Sequence, residues 1–314
     1  MHERNQTVII EFFLLGFGKL HDLRILLFLF FLTIHIMALA GNLLIILLVV
    51  VNRNLHSPMY VLLSQLSLSE ILFTGNLVPN MLWLILAGGG KVSVARCITQ
   101  FYFLGVPTIA QCLLLAAMSF DRHVAICRPL HYSVITTPAL QARMIISCWL
   151  VGFTLTFIIY VFLHRLEFCG PSTINHFFCD IGPLVDLSCS DITTVQLVTS
   201  FVSFPIIISP FVFIKATYIS ILLAILKIPS ISGRKKAFST CSSHLMVVCL
   251  YYGTLMSIYI FPSSNASVDM NKCLSALYAL VTPLFNPLIY GLRNQEIRVS
   301  IRRHIQTCRN YLVK

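Results

Sequence analysis

Few residues in this chain have the chemistry to form a site, and most of those stand inside apolar sequence. Asp121 and Arg122 sit side by side in "MSFDRHVAICRPLHY" (residues 118–132), after an uncharged stretch that runs from Cys97 to Phe120. An adjacent acid and base at the end of such a stretch form a two-state element: paired and closed, or released and free to meet another protein. Glu70 lies within another apolar run, and an ionisable group buried in a membrane is costly enough to suggest function. The stretch 164–193, "HRLEFCGPSTINHFFCDIGPLVDLSCSD", carries Cys, His and Asp, all metal-ligand types. Its cysteines, Cys169, Cys179 and Cys189, are ten residues apart rather than in the close pair that zinc prefers, so a disulfide-pinned lid is the better reading. With Cys97 they make four cysteines, which allow three pairings, and spacing does not choose among them.

The elements that must position these residues are membrane helices. Of the 314 residues, 57% are hydrophobic and 11% charged, where a soluble domain carries about a quarter charged. Crossing a hydrocarbon core takes about 20 apolar residues. Seven such runs occur, near 24–51, 58–86, 96–127, 140–163, 194–226, 237–261 and 272–292. The third is polar for lipid (Thr99, Gln100, Thr108, Gln111), which suits a helix surrounded by others. The fifth and seventh hold Pro205, Pro210, Pro283 and Pro287, tolerated where neighbours re-satisfy the freed backbone groups. The expected fold is an all-α seven-helix membrane bundle forming a single domain over 1–314, with an outer segment 1–23 and an inner tail 293–314.

Charge sets the expected orientation. Arg53, Arg122, Arg128, Arg143, Lys227, Arg234, Lys235, Lys236 and the basic residues of the tail fall on one side. The smaller set Arg4, Lys19, Arg24, Lys91, Arg96, Arg165 and Lys272 falls on the other. The excess of Lys and Arg marks the cytoplasmic side, placing the N-terminus outside and the protein in the plasma membrane as a multi-pass chain. Asn5-Gln6-Thr7 is a glycosylation acceptor that only the secretory lumen would use, and Asn265-Ala266-Ser267 is a second match. The first 20 residues lack a basic start followed by an apolar core, so the first span serves as targeting signal. Lys215 lies inside the fifth span and is expected to snorkel toward the inner interface.

Other function classes fit poorly. The net charge of +11 has no basic stretch interleaved with surface aromatics, so nucleic acid is excluded as a partner. A transporter calls for charged or broken helices at mid-membrane, often in repeated halves, and no repeat is visible. An enzyme needs clustered catalytic groups, whereas His35, His164 and His244 are scattered.

Five stretches carry a resemblance over nearly the whole chain: "GNLLII" (41–46), "LHSPMYVLLSQLSLSE" (55–70), "MSFDRHVAICRPLHY" (118–132), "KAFSTCSSHLMVVCLYYGT" (236–254) and "PLFNPLIYGLRNQEI" (283–297). In order and spacing the chain resembles an olfactory receptor, of the rhodopsin-like class of G-protein-coupled receptors. The "HSPMY" form is similar to the tetrapod-type branch, which favours airborne hydrophobic ligands. The resemblance implies a small-molecule odorant, a heterotrimeric G protein of the stimulatory olfactory type that raises cAMP, and no enzymatic activity. It makes Asp121 and Arg122 an ionic latch and G-protein contact. Tyr218 and Tyr290, with Asn286 and Pro287 of "NPLIY", become the part that rearranges on activation. It implies disulfides Cys97–Cys179 and Cys169–Cys189. It also implies a short basic helix over 293–305 whose Arg298, Arg302 and Arg303 meet anionic lipid.

The same resemblance implies a ligand pocket in the outer half of the bundle. On the third span Leu104, Thr108 and Cys112 share a helical face, with Gly105 and Ile109 beside them. Val202, Ser203 and Ile206 on the fifth, Tyr252, Leu255, Met256 and Tyr259 on the sixth, and Ala276 and Ala279 on the seventh complete it. The expected wall is apolar, with a few hydroxyls and no formal charge. Three positions depart from the family. His123 follows Arg122 where Tyr is usual. Glu70 replaces an Asp in the second span, and Gln111 replaces a Glu in the third. A sodium ion held weakly by Glu70, Gln111, Asn286 and Asn42 is one expectation, and a protonated, hydrogen-bonded Glu70 is the other. No other cofactor or metal is expected.

Overall fold

The computed structural model describes residues 9–18, 23–169, 171–259, 268–293, 296–302 and 306; Asn5 and Asn265 lie outside them. Among the described residues seven helices are long and apolar enough to cross a membrane. Six are continuous: Arg24–Val51, Pro58–Ala87, Val94–Cys127, Pro138–Leu163, Thr193–Leu226 and Ile231–Tyr259. The seventh runs from Val268 to Ala276, passes through a π-helical turn at Leu277–Val281, and continues from Thr282 to Arg293. Local chemistry sets several ends. The Ser93 and Thr137 hydroxyls accept from the amides of Arg96 and Leu140 at the starts of the third and fourth spans. Pro58 and Pro138 open their helices at a position where a missing N–H costs nothing. Gly88 closes the second span with φ +73°, a conformation that only glycine adopts cheaply.

The third span is the axis of the bundle. Its Val106, Ala110, Leu114, Ala117 and Asp121 are buried, and so are Leu104, Gln111, Leu115 and Met118 on its other faces. The first, fourth and fifth spans instead turn Leu26, Phe30, Leu150, Phe157, Phe204 and Leu222 outward. In water that belt would be an aggregation surface; in a bilayer it is the solvated side. Gly152 lets the fourth span touch the third, because a Cβ there would lie 2.8 Å from the carbonyl oxygen of Val106. Trp149 Nε1 donates to Gln65 Oε1 across 3.1 Å, joining the fourth span to the second. After the seventh span, residues 296–302 form a further helix with Ile297 and Ser300 buried and Glu296, Arg298 and Arg302 exposed.

One end of the bundle carries a small sheet that apolar periodicity does not announce. Strands β1 (Glu11–Leu14), β2 (Gly90–Ser93) and β3 (Thr173–Ile174) lie in the order β2-β1-β3, antiparallel on one side and parallel on the other. β1 alternates cleanly, Phe12 and Leu14 inward, Glu11 and Phe13 outward. Lys272 Nζ donates to the Gly16 carbonyl at 2.8 Å and to Asn175 Oδ1 at 2.6 Å, tying the seventh span to this cap. The opposite end holds Asp121 and Arg122.

Lys215 corrects an expectation. Its Nζ does not run toward the Asp-Arg end; it sits 5.9 Å from the centroid of the Phe211 ring, one turn back toward the cap. Helical side chains lean toward the N-terminus of their helix, and a ring face attracts a cation.

Candidate functional site

Beneath the cap lies a cavity of about 390 Å³. Its roof is the loop 164–193. Cys179 is bonded to Cys97 at the top of the third span (Cα–Cα 5.4 Å), and Cys169 to Cys189 within the loop (Cα–Cα 5.8 Å). Gln100 Oε1 accepts from the Cys179 amide at 3.1 Å, so side chain and disulfide fix the same point. Phe178, Cys179, Asp180 and Ile181 thereby form the ceiling, and Asp180 caps the short helix Ile181–Asp186. His176 is buried beside Phe177 and Phe178; burial, with the Lys272 ammonium nearby, pulls its imidazole down to about 4.

Of the residues expected to line a pocket, Leu104, Gly105, Thr108, Ile109, Cys112, Ser203, Ile206, Leu255 and Ala279 are on the cavity wall. Val202 and Ala276 are not. Tyr252 and Met256 line a separate groove between the fifth and sixth spans. Tyr252 is drawn there because its ring meets Phe211 (5.3 Å) while its hydroxyl donates to the Cys112 carbonyl (3.2 Å). The side chain of Tyr259 lies outside the described residues. The second and fourth spans supply walls that the sequence reading left out: Phe73, Leu77, Thr156 and Ile159. The wall also holds one carboxylate where none was expected, Asp180, whose Oδ1 accepts from the Ile181 amide at 2.8 Å.

Two tyrosines meet beside Thr108, and one of them, Tyr278, lines the cavity. Tyr251 donates to the Thr108 carbonyl (2.8 Å) and stands 3.4 Å from Cys112 Sγ. The Tyr278 ring packs edge-on against Phe73 (5.4 Å), with its hydroxyl 3.5 Å from Thr108 Oγ1. Tyr278 lies in the π-helical turn, a feature frequent at functional sites. The Thr108 hydroxyl is already used on the Leu104 carbonyl at 2.8 Å. The buried hydroxyls of Thr156 and Thr199, both on the wall, have no hydrogen-bond partner among the described residues. Such groups are what a polar ligand atom satisfies. Gly105 leaves Thr156 room, since a Cβ there would sit 2.6 Å from the Thr156 methyl.

Midway down the bundle Glu70 Oε1 accepts from Asn286 Nδ2. Asn42 Nδ2 bonds the carbonyls of Ala38 (3.1 Å) and Pro283 (3.0 Å), pinning the first span to the seventh. Three buried oxygens here, Glu70 Oε2, Asn42 Oδ1 and Asn286 Oδ1, lack partners among the described residues. Gln111 is buried on the third span with its Nε2 unpaired. A carboxylate with two amide oxygens is a hard donor set of the kind that suits a small cation.

At the far end the ion pair is closed. Arg122 donates through Nη2 (2.6 Å) and Nε (3.1 Å) to Asp121 Oδ2, and Asp121 is fully buried. Tyr132, in the short helix Tyr132–Ile135 after the third span, donates to Asp121 Oδ1 at 2.8 Å. Burial, with the carboxylate beside it, pushes the Tyr132 phenol up to about 12, so it remains a donor at neutral pH. Tyr218 bonds His244 Nδ1 at 2.6 Å, holding the fifth span to the sixth. Tyr290 is buried with its hydroxyl unpaired, and no hydrogen bond joins it to Tyr218 among the described residues. Pro287 lies inside the helix Thr282–Arg293, packed where a Cβ on Gly41 would meet it at 2.8 Å.

Comparison with known proteins shows the family. A family profile described as "Olfactory receptor" matches residues 31–307. Olfactory receptor 6N1 of Homo sapiens is 40% identical over 98% of both chains. Olfactory receptor 5G9 of Mus musculus is 42% identical over 99% of both. Olfactory receptor 226 of Rattus norvegicus is 42% identical over 96% of this chain and 94% of its own. A multi-pass bundle with these relatives, matched end to end, is a receptor and not an enzyme: the chain belongs to the olfactory receptor family of G-protein-coupled receptors.

Proposed function

We propose that this receptor binds small, uncharged, hydrophobic volatiles in the cavity beneath the disulfide-pinned loop and signals through a stimulatory G protein that raises cAMP. The observation that carries this reading is the cavity itself. Its volume of about 390 Å³ lies in the range of small-molecule sites, and its wall is apolar apart from hydroxyls and one carboxylate committed to capping its own loop. A ligand that buries about 300 Å² of apolar surface gains about 7 kcal/mol before the costs of ordering. A carboxylate ligand finds no cation on that wall and loses its hydration, and an ammonium finds only Asp180, which already caps its own loop.

The closed Asp121–Arg122 pair is the resting state in this reading. A ligand shifts that state only through differential affinity for the two conformations. Thr108 and Arg122 share one helix, about 21 Å apart by rise. Tyr251 links that helix to the sixth span at Thr108, so a ligand touching Thr108 and Leu255 bears on both. The capped end faces outward in the plasma membrane. The excess of Lys and Arg at the other end and the glycosylation acceptor at Asn5 support that orientation. The unpartnered oxygens around Glu70 support a weakly held sodium ion, which would neutralise the carboxylate in the resting state.

A dose–response panel on cells expressing the receptor with its G protein tests the proposal. Alcohols, ketones and esters of matched carbon length are expected to outperform carboxylates and protonated amines. A permanently charged best agonist with inactive neutral analogues contradicts it.

A further inference from the structure

Lys215 and the groove around it do not belong to the odorant cavity. Tyr252 forms the wall between the two, its hydroxyl turned to the third span and its ring lining the groove. The groove, about 590 Å³, follows the seam of the fifth and sixth spans. Its floor includes the buried Ile214 and Val248, and its rims include the outward-facing Leu222 and Leu245. Among the described residues Lys215 is the one formally charged residue on its wall. By helix rise it stands about 17 Å above Leu226, the last residue of its span. Its head is turned away from that end, over Phe211.

Lys215 is exposed on the apolar outer side of the seam, where an ammonium favours an anionic partner. The acids nearest in level are engaged inside the bundle, Glu70 with Asn286 and Asp121 with Arg122 and Tyr132. No ion pair reaches Lys215 among the described residues. A ring face compensates part of a cation's desolvation; a carboxylate in the same low-dielectric setting compensates far more. A single-chain acid offers one carboxylate to the ammonium and one chain to the groove.

We propose that the seam of the fifth and sixth spans is a second ligand site, taking a long-chain carboxylate amphiphile from the membrane. Its carboxylate meets Lys215 Nζ and its chain lies in the groove over Ile214 and Val248. The site is distinct from the odorant cavity and stands or falls independently of it.

The test uses the full-length receptor in neutral-lipid nanodiscs and a diazirine-bearing octadecanoate as photoprobe. Labelling is expected within 211–226 and 238–256, competed by oleate but not by methyl oleate or phosphatidylserine. Lys215→Met is expected to weaken labelling by about tenfold or more, and Lys215→Arg to retain it. Leu245→Trp, which fills the groove and leaves the lysine in place, is expected to block labelling too. The proposal is overturned if labelling survives Lys215→Met. It is overturned equally if methyl oleate competes as well as oleate (a neutral chain suffices), if phosphatidylserine does so (the occupant is a phospholipid), or if the label maps elsewhere.

Discussion

The two ends of the third span are built by different physics. At the capped end it is held covalently through Cys97–Cys179, by the Gln100 contact to the same loop, and by a sheet that crosses from the N-terminus. The other end has no disulfide among the described residues: Ile126 and Cys127 pack against Ile221, Ile225 and Cys241, Asp121 pairs with Arg122 and accepts from Tyr132, and nearby Tyr218 bonds His244. The proposed function needs that difference. The end that reads a ligand gains from a fixed shape, because pre-organised walls lower the cost of binding. The end that signals must have two states separated by a few kcal/mol. Substitutions at the two ends should therefore fail in different ways.

The largest effect is expected from Cys97→Ser. Its bond closes a sequence separation of 82 residues, and losing such a link costs about 4 kcal/mol or more. Surface expression should fall to background by flow cytometry, and Cys179→Ser should match it. Arg122→Ala should reach the surface normally and lose cAMP signalling; normal signalling by a surface-expressed variant would remove the latch role. Tyr132→Phe strips one donor from a buried carboxylate, a change of about 1–2 kcal/mol, and should raise ligand-independent cAMP by about tenfold. Unchanged basal cAMP would mean that the tyrosine does not stabilise the closed state.

Smaller effects belong to the capped end. His176 has its folded pKa depressed to about 4 from an ordinary 6.5. Its neutral form therefore stabilises the cap above pH 6.5, and that contribution is lost as pH falls toward 4. Hydrogen-exchange protection in residues 173–180, taken relative to the intrinsic amide rate at each pH, should fall over that window, and His176→Phe should flatten the dependence. Thr156→Val and Thr199→Val should each cost about fivefold in potency for ligands with a polar atom and nothing for a pure hydrocarbon of equal size. Equal losses for both ligand types would assign these threonines to packing.

The sequence showed the seven spans because lipid demands long apolar runs, a signal that survives without knowledge of packing. The third span's central place was legible too, in Gln100 and Gln111 set among apolar neighbours. The cap sheet was not: four residues of β1 and two of β3 are too short for alternation to register, and their partners come from opposite parts of the chain. Tyr132 was hidden for a similar reason, since its bond to Asp121 spans a helix end and a turn. Thr156 escaped because the fourth span looks uniformly apolar, and only the close approach at Gly152 and Gly105 brings it to the cavity. Lys215 was visible as a lone cation, but its direction depended on Phe211 one turn back.

The most direct test of the division between the two ends is saturation binding of a radiolabelled neutral agonist to purified receptor. Ile109→Trp fills the cavity at the capped end, and Arg122→Ala breaks the ion pair at the other. Ile109→Trp should abolish specific binding while both disulfides still map correctly, and Arg122→Ala should keep affinity within a few-fold of wild type. Wild-type affinity in Ile109→Trp, or lost binding in Arg122→Ala, would contradict the account.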